Sequence, residues 1–287
     1  MLAILGKEFK AYFYSATGYV FMGVFLLIGG IFFANYNLIP ASPLYSNVLS
    51  SMTFVFLLLV PIITMKLLAE EKHQKTDQLL LTSPLSIGEI VVGKYLASVA
   101  LFFVTLAVTI LFPLILSMYG KVPVGEIAAT YIGFALMGAA FISVGAFVSS
   151  LTENQVVSAV ASFGLLLFIW ILDWIQQSFP ADSKSGIVFA GIIVLAIAFI
   201  TYHSTKNIIL PLIELLAGAA VIAIIYLKNA ALFEGFIPNF FGWISLTKRF
   251  QNFSMGILDL GSIVFYITFS IAFVYLAINA IQKRRWS

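Results

Sequence analysis

The chain alternates between long apolar runs and short polar connections. A helix that crosses a bilayer needs roughly 20 mostly apolar residues. Eight runs meet that need, at about 17–37, 50–69, 90–117, 127–150, 155–175, 187–202, 208–227 and 260–281. The sixth is the shortest. Ahead of them, Leu2, Leu5, Phe9 and Phe13 fall on one helical face, with Lys7, Glu8 and Lys10 elsewhere. That spacing predicts a short helix over residues 1–16 lying in the membrane interface. The whole pattern predicts an all-α, polytopic helical membrane protein, with one transmembrane domain over residues 1–287.

Composition sharpens this picture. The chain is 62% hydrophobic and 9% charged, whereas a soluble domain carries about 25% charged residues. It cannot cover itself with a polar surface, so a soluble enzyme is disfavoured. There is no cysteine, which excludes disulfides, thiol catalysis and thiolate metal sites. A net charge of +3 is too small to argue for a nucleic-acid partner. The apolar run that follows Lys7 and Lys10 outlasts a signal-peptide core of about 7–15 residues. Lys and Arg near helix ends set orientation. With the N-terminus in the cytoplasm, ten of the 15 cationic side chains fall inside. The terminal KRR cluster is among them, so both termini are expected to be cytoplasmic.

Two connections are long enough to do something. The outer one, about 228–259, holds "LFEGFIPNFFGWISL". Its aromatic content suits an interfacial or re-entrant segment, and equally a folded outer loop with an aromatic anchor. The inner one reads "KLLAEEKHQKTDQLLLTSPLSIGEI" from Lys66 to Ile90. Pro84 stops any helix before it. Ser86 and Glu89 then match the capping box S-x-x-E, so the third span should start at about Ile87. The Leu79–Leu81 run either folds back onto the bilayer or forms the apolar face of a helix that docks on a cytoplasmic partner.

The stretch "GEIVVGKY" (88–95) is one residue away from the phosphate-binding pattern G-x-x-x-x-G-K-[ST]. Tyr95 replaces the hydroxyl residue, no strand precedes it, and the residues between the glycines should be helical. Lys94 is better read as a positive-inside anchor where the third span enters the bilayer.

The inner loop resembles the coupling segment of ABC-2 type ABC-transporter permeases. There an acidic pair ends the second span and a T-[DE]-x-L-L-x-[TS]-x-P run follows, as in "AEEKHQKTDQLLLTSPLS" here. The motifs "SSLTENQVVSAV" (149–160), "SLTKRFQNFSMGILDL" (245–260) and the terminal "KRRWS" are similar to the gliding-motility and Nos-type branch. The resemblance implies a type V exporter-like permease in a bacterial cytoplasmic membrane. A separate P-loop ATPase subunit would carry ATP and magnesium, with no cofactor on this chain. A second permease subunit, identical or similar, would complete the pore.

The same resemblance places Glu70, Glu71, Thr76, Asp77, Leu79, Leu80, Pro84, Leu85 and Ser86 in a coupling segment (70–89) at the ATPase interface. It places Trp243, Arg249, Phe250, Phe253, Gly256 and Asp259 in the extracytoplasmic segment that shapes the exit. Such permeases commonly have six spans, so residues 187–227 look like an added helix pair.

Glu214 falls in that pair. A carboxylate at the bilayer centre costs about 2.5–3.5 kcal/mol on insertion scales, which invites a functional reading. Its place near the helix end favours a structural role. It is the one candidate for a mid-membrane ionisable site, so a secondary transporter is the weaker rival. A membrane scaffold that anchors a cytoplasmic ATPase without moving cargo is the other. No Ser-His-Asp set or catalytic carboxylate pair occurs, so no enzyme activity is expected of this chain.

Overall fold

A computed structural model of the protein describes residues 1–74 and 85–285. Among them there is no strand. Eight helical segments are long and apolar enough to cross a membrane: Ala16–Leu38, Ser46–His73, Ile87–Tyr119, Val124–Leu151, Gln155–Leu172, Ser183–Thr205, Ile209–Phe233 and Leu260–Lys283. They coincide with the eight runs of the hydropathy pattern. The sixth, shortest by sequence, is a full 23 residues.

The breaks have local causes. Helix α1 (Leu2–Tyr14) ends at Ser15, whose extended backbone (φ −107°, ψ 154°) turns the chain into α2 (Ala16–Phe33). A π-helical turn, Ala34–Leu38, extends α2. Helix α3 (Ser46–Thr64) is followed by a turn and by the short α4 (Ala69–His73). Helix α5 (Ile87–Thr109) starts with the predicted capping box. The Ser86 hydroxyl accepts from the Glu89 N–H, and the Glu89 carboxylate accepts from the Ser86 N–H. The third span then breaks at Ile110 before α6 (Leu111–Tyr119). Pro113 lies one turn beyond Thr109 and has no N–H to offer that carbonyl.

Residues 1–169 and 246–287 form one compact unit. At its centre runs α7 (Val124–Leu151), the most buried of the spans. Its glycines let large neighbours approach. A Cβ on Gly138 would lie 2.4 Å from the Phe102 ring, and one on Gly145 would lie 2.3 Å from the Thr64 hydroxyl. Phe25, Phe56, Phe102, Phe134 and Phe141 fill the space between α2, α3, α5 and α7, with Phe56 stacked on Phe134 at 4.7 Å. Helix α8 begins at Gln155 and ends at Ser178. Helix α13 (Leu260–Arg285) closes the unit along α7.

The last part of the outer connection, α12 (Leu246–Ser254), packs inside this unit. Phe253 lies over Gly133, where a Cβ would come within 2.4 Å of its ring. The Thr130 hydroxyl donates to the Phe253 carbonyl at 3.2 Å. The Tyr266 hydroxyl donates to the Leu246 carbonyl. Phe250 meets Phe134 with ring centroids 6.0 Å apart. Phe134 stands about 15 Å along α7 from its first residue, so α12 sits beside the body of that span.

Residues 170–245 form the second unit. It contains the end of α8, then α9 (Ser183–Thr205), α10 (Ile209–Asn229) and α11 (Phe236–Ile244). Asp182 caps α9 by accepting from the Ser185 N–H. Gly218 of α10 lets Val194 of α9 approach closely, with a Cβ there only 2.5 Å from the valine methyl. Phe189 packs against Phe236, Phe240 and Phe241 of the α11 region.

Candidate functional site

Lys94 organises the polar cluster at the base of the first unit. It stands seven residues after the start of α5, about 10 Å along that helix. Its side chain is 3% exposed, and it pairs with two carboxylates: Glu8 of α1 at 3.0 Å and Glu71 of α4 at 2.9 Å. A buried ammonium is tolerated only when paired. One cation thereby ties the N-terminal helix and the end of the second span to the third span. The positive charge expected at the foot of the third span is thus compensated by carboxylates from two other elements.

The same contact surface is extended on both sides. Ile4 of α1 lies against Gly93, where a Cβ would come within 3.1 Å of the Ile4 methyl. One and two turns further along α1, Glu8 and Tyr12 follow Ile4 on this face. The Tyr12 hydroxyl donates to the Ile63 carbonyl at 3.0 Å and lies 2.8 Å from Ser98 Oγ. Burial pushes the Tyr12 phenol up, which keeps it a neutral donor. The P-loop-like stretch is thus helix from Ile87 onward. Gly93 and Lys94 are used to hold α1.

A second set of bonds fixes the turn between α3 and α4. Ser149, near the end of α7, accepts from the backbone N–H groups of Leu68 and Ala69, both at 3.1 Å. Lys72 is buried and its ammonium donates to the Ser150 carbonyl. That carbonyl belongs to the last turn of α7, where intrahelical donors are missing and a cation is favoured by the helix dipole. The "SSLTEN" motif therefore clamps the exit of the second span.

The sequence-selected residues divide as follows. Glu71 turns inward to Lys94, while Glu70 is half-exposed and accepts from the Gln74 amide at 3.3 Å. Leu85 is half-exposed and Ser86 exposed. Thr76, Asp77, Leu79, Leu80 and Pro84 lie outside the described residues.

In the outer segment, Phe250 and Phe253 are buried core residues, and the Arg249 guanidinium lies 4.0 Å from the Phe265 ring centroid. Gly256 has φ +80° and faces Glu126. Asp259 caps α13, and bonds from the Ser262 hydroxyl and the Gly261 N–H hold its carboxyl below the usual carboxylate range. Trp243, in the second unit, is 68% exposed. Glu214 sits five residues after the start of α10 and accepts from the Thr201 hydroxyl at 3.2 Å.

Sequence reasoning missed Glu8 and Tyr12 beside Lys94, and Lys72, Ser149 and Ser150 as the clamp on the turn between α3 and α4. The available signal was a lone lysine deep in an apolar helix, which demands a carboxylate from elsewhere.

Among curated proteins, none matches the chain. The profile of the family described as ABC-2 family transporter protein matches residues 5–184. This stretch is well over half of the chain and includes all of the cluster around Lys94. It carries no information on the gliding-motility branch. The eight apolar helices and this match together establish that the chain belongs to the ABC-2 family of transporter proteins, as a multi-pass membrane permease of an ABC transporter.

Proposed function

We propose that the chain is the membrane subunit of an ATP-driven exporter and that a separate P-loop ATPase drives it from the cytoplasm. The observation that carries this reading is the Lys94 cluster. A push on the 70–89 segment reaches Glu71, and through Lys94 it reaches both α1 and the third span. Glu70, Thr76, Asp77, Leu79, Leu80, Pro84, Leu85 and Ser86 form the surface the ATPase meets. Glu71 transmits the push from one turn away. ATP and magnesium are held by the partner.

A second permease subunit completes the path across a bacterial cytoplasmic membrane, with both termini inside. The depth of α12 along α7 supports a re-entrant outer segment. Arg249, Phe250, Phe253, Gly256 and Asp259 position that segment. Trp243 belongs to the same outer connection in sequence. The motifs after residue 184 favour the gliding-motility and Nos-type branch. Residues 187–227 are an added pair, and Glu214 with Thr201 holds its two helices together.

Replacing Leu79 and Leu80 together by Asp tests the docking surface. A P-loop ATPase subunit that co-purifies with the wild type should be lost from the variant. The variant should still elute as a folded, detergent-solubilised protein. Undiminished co-purification would overturn the docking surface.

A further inference from the structure

Beside the Lys94 cluster, between α1, the start of α2 and the turn after α3, lies a cavity of about 170 Å³. That is smaller than the roughly 300–1,000 Å³ of a drug-sized pocket, and it suits a small polar group. Its polar walls are Glu8, Tyr12, Ser15, Thr17, Lys66 and Glu70. Thr17 is the second residue of the first span, and Lys66 follows the end of α3 at Thr64. The cavity therefore lies beside the first turn of the first span and just past the end of α3.

The walls carry both signs of charge. Glu8 and Glu70 contribute two carboxylates, and Lys66 one ammonium. Glu8 already shares the single ammonium of Lys94 with Glu71. Among the described residues, Lys66 and Thr17 make no side-chain hydrogen bond or ion pair. An anion alone would be repelled by the two carboxylates, and a cation alone by Lys66. A zwitterion satisfies both.

We propose that this cavity binds the phosphoethanolamine group of a membrane phospholipid. A phosphate oxygen accepts from the Lys66 ammonium and the Thr17 hydroxyl. The primary ammonium points to Glu8 and Glu70. A primary ammonium offers three N–H donors to carboxylates, and a choline headgroup offers none. The acyl chains continue beside α2, where Tyr19 and Val20 are 58% and 48% exposed. Glu70 also belongs to the proposed ATPase surface, so the inference is tested on the chain without its ATPase.

The test is native mass spectrometry of the full chain after purification from nanodiscs of equal phosphatidylethanolamine, phosphatidylcholine and phosphatidylglycerol. One phosphatidylethanolamine per chain should be retained in preference to the others. Lys66→Ala and, separately, Thr17→Val should each weaken retention by about tenfold, the loss expected for one hydrogen bond to a charged group. Lys66→Arg should restore it. Equal retention of the three lipids, or wild-type retention by both loss variants, would overturn the proposal. In a second arm, free phosphoethanolamine is titrated onto lipid-stripped protein. Weaker binding than the lipid supports a membrane source, and tighter binding overturns it.

Discussion

Replacing Lys94 by Met is expected to cost about 3–5 kcal/mol of stability, the loss typical of a buried ion pair deprived of one partner. The Glu8 and Glu71 side chains are 20% and 19% exposed, and without the ammonium they are left facing each other with no cation between. In a thermal-denaturation assay in detergent, the variant should unfold at a markedly lower temperature than the wild type. The triple variant Lys94→Met, Glu8→Gln, Glu71→Gln removes every charge of the cluster, and it should recover much of the lost stability. It should not recover coupled ATP hydrolysis in the complex, because the amides and the thioether no longer bind α1 and α4 to α5 through charge. A triple variant as unstable as the single one would show that burial, and not pairing, governs this site.

Gly138→Val should be nearly as damaging, for a different reason. A Cβ at this position lies 2.4 Å from Phe102 and 2.9 Å from Phe56. Neither ring has room to retreat, since Phe56 stacks on Phe134 and meets Phe102 edge-on at 5.3 Å. Overpacking of this kind costs about 1–3 kcal/mol, occasionally more, and this site belongs at the upper end. Lower yield and a lower melting temperature are the expected readouts. Gly30→Val is the control. It lies in a span with no heavy atom within 4 Å of its added Cβ, and it should behave like the wild type. Equal loss in both variants would argue for a general effect of valine on helix insertion.

The spans were legible because twenty apolar residues in a row have few other uses in a chain with 9% charge. The start of the third span was legible for a local reason too: Ser86 and Glu89 cap it by themselves. The protein-facing side of α1 was not. Apolar periodicity selects Leu2, Leu5, Phe9 and Phe13, and Leu2 is in fact 77% exposed. The stripe that touches α5 is Ile4, Glu8 and Tyr12, and two of the three make polar contacts. A hydrophobic pattern finds the face that avoids water; it does not find a face whose polar groups are satisfied by another helix. The partners of Lys94 were hidden for the same reason, since the rule that sets cations at the membrane boundary says nothing about groups distant in sequence. The position of α12 was equally hidden. Phe253 fits against α7 because Gly133 lacks a side chain, and that complementarity exists only once the two segments are packed.

The central claim is that α1, α4 and the base of α5 move as one body when a partner ATPase pushes on the inner segment. The chain has no cysteine, so an introduced pair supplies its only thiols, and the wild-type complex oxidised in parallel controls for thiols of the ATPase. Ile4 and Gly93 are well placed, because a Cβ on Gly93 lies 3.2 Å from the Ile4 Cβ, slightly inside the usual disulfide separation of about 3.5–4.5 Å. The measurement is ATP hydrolysis by the reconstituted complex carrying Ile4→Cys and Gly93→Cys, oxidised and then reduced. The account predicts the same turnover in both states, since the bond joins parts that already travel together. Turnover that stops on oxidation and returns with dithiothreitol would contradict it.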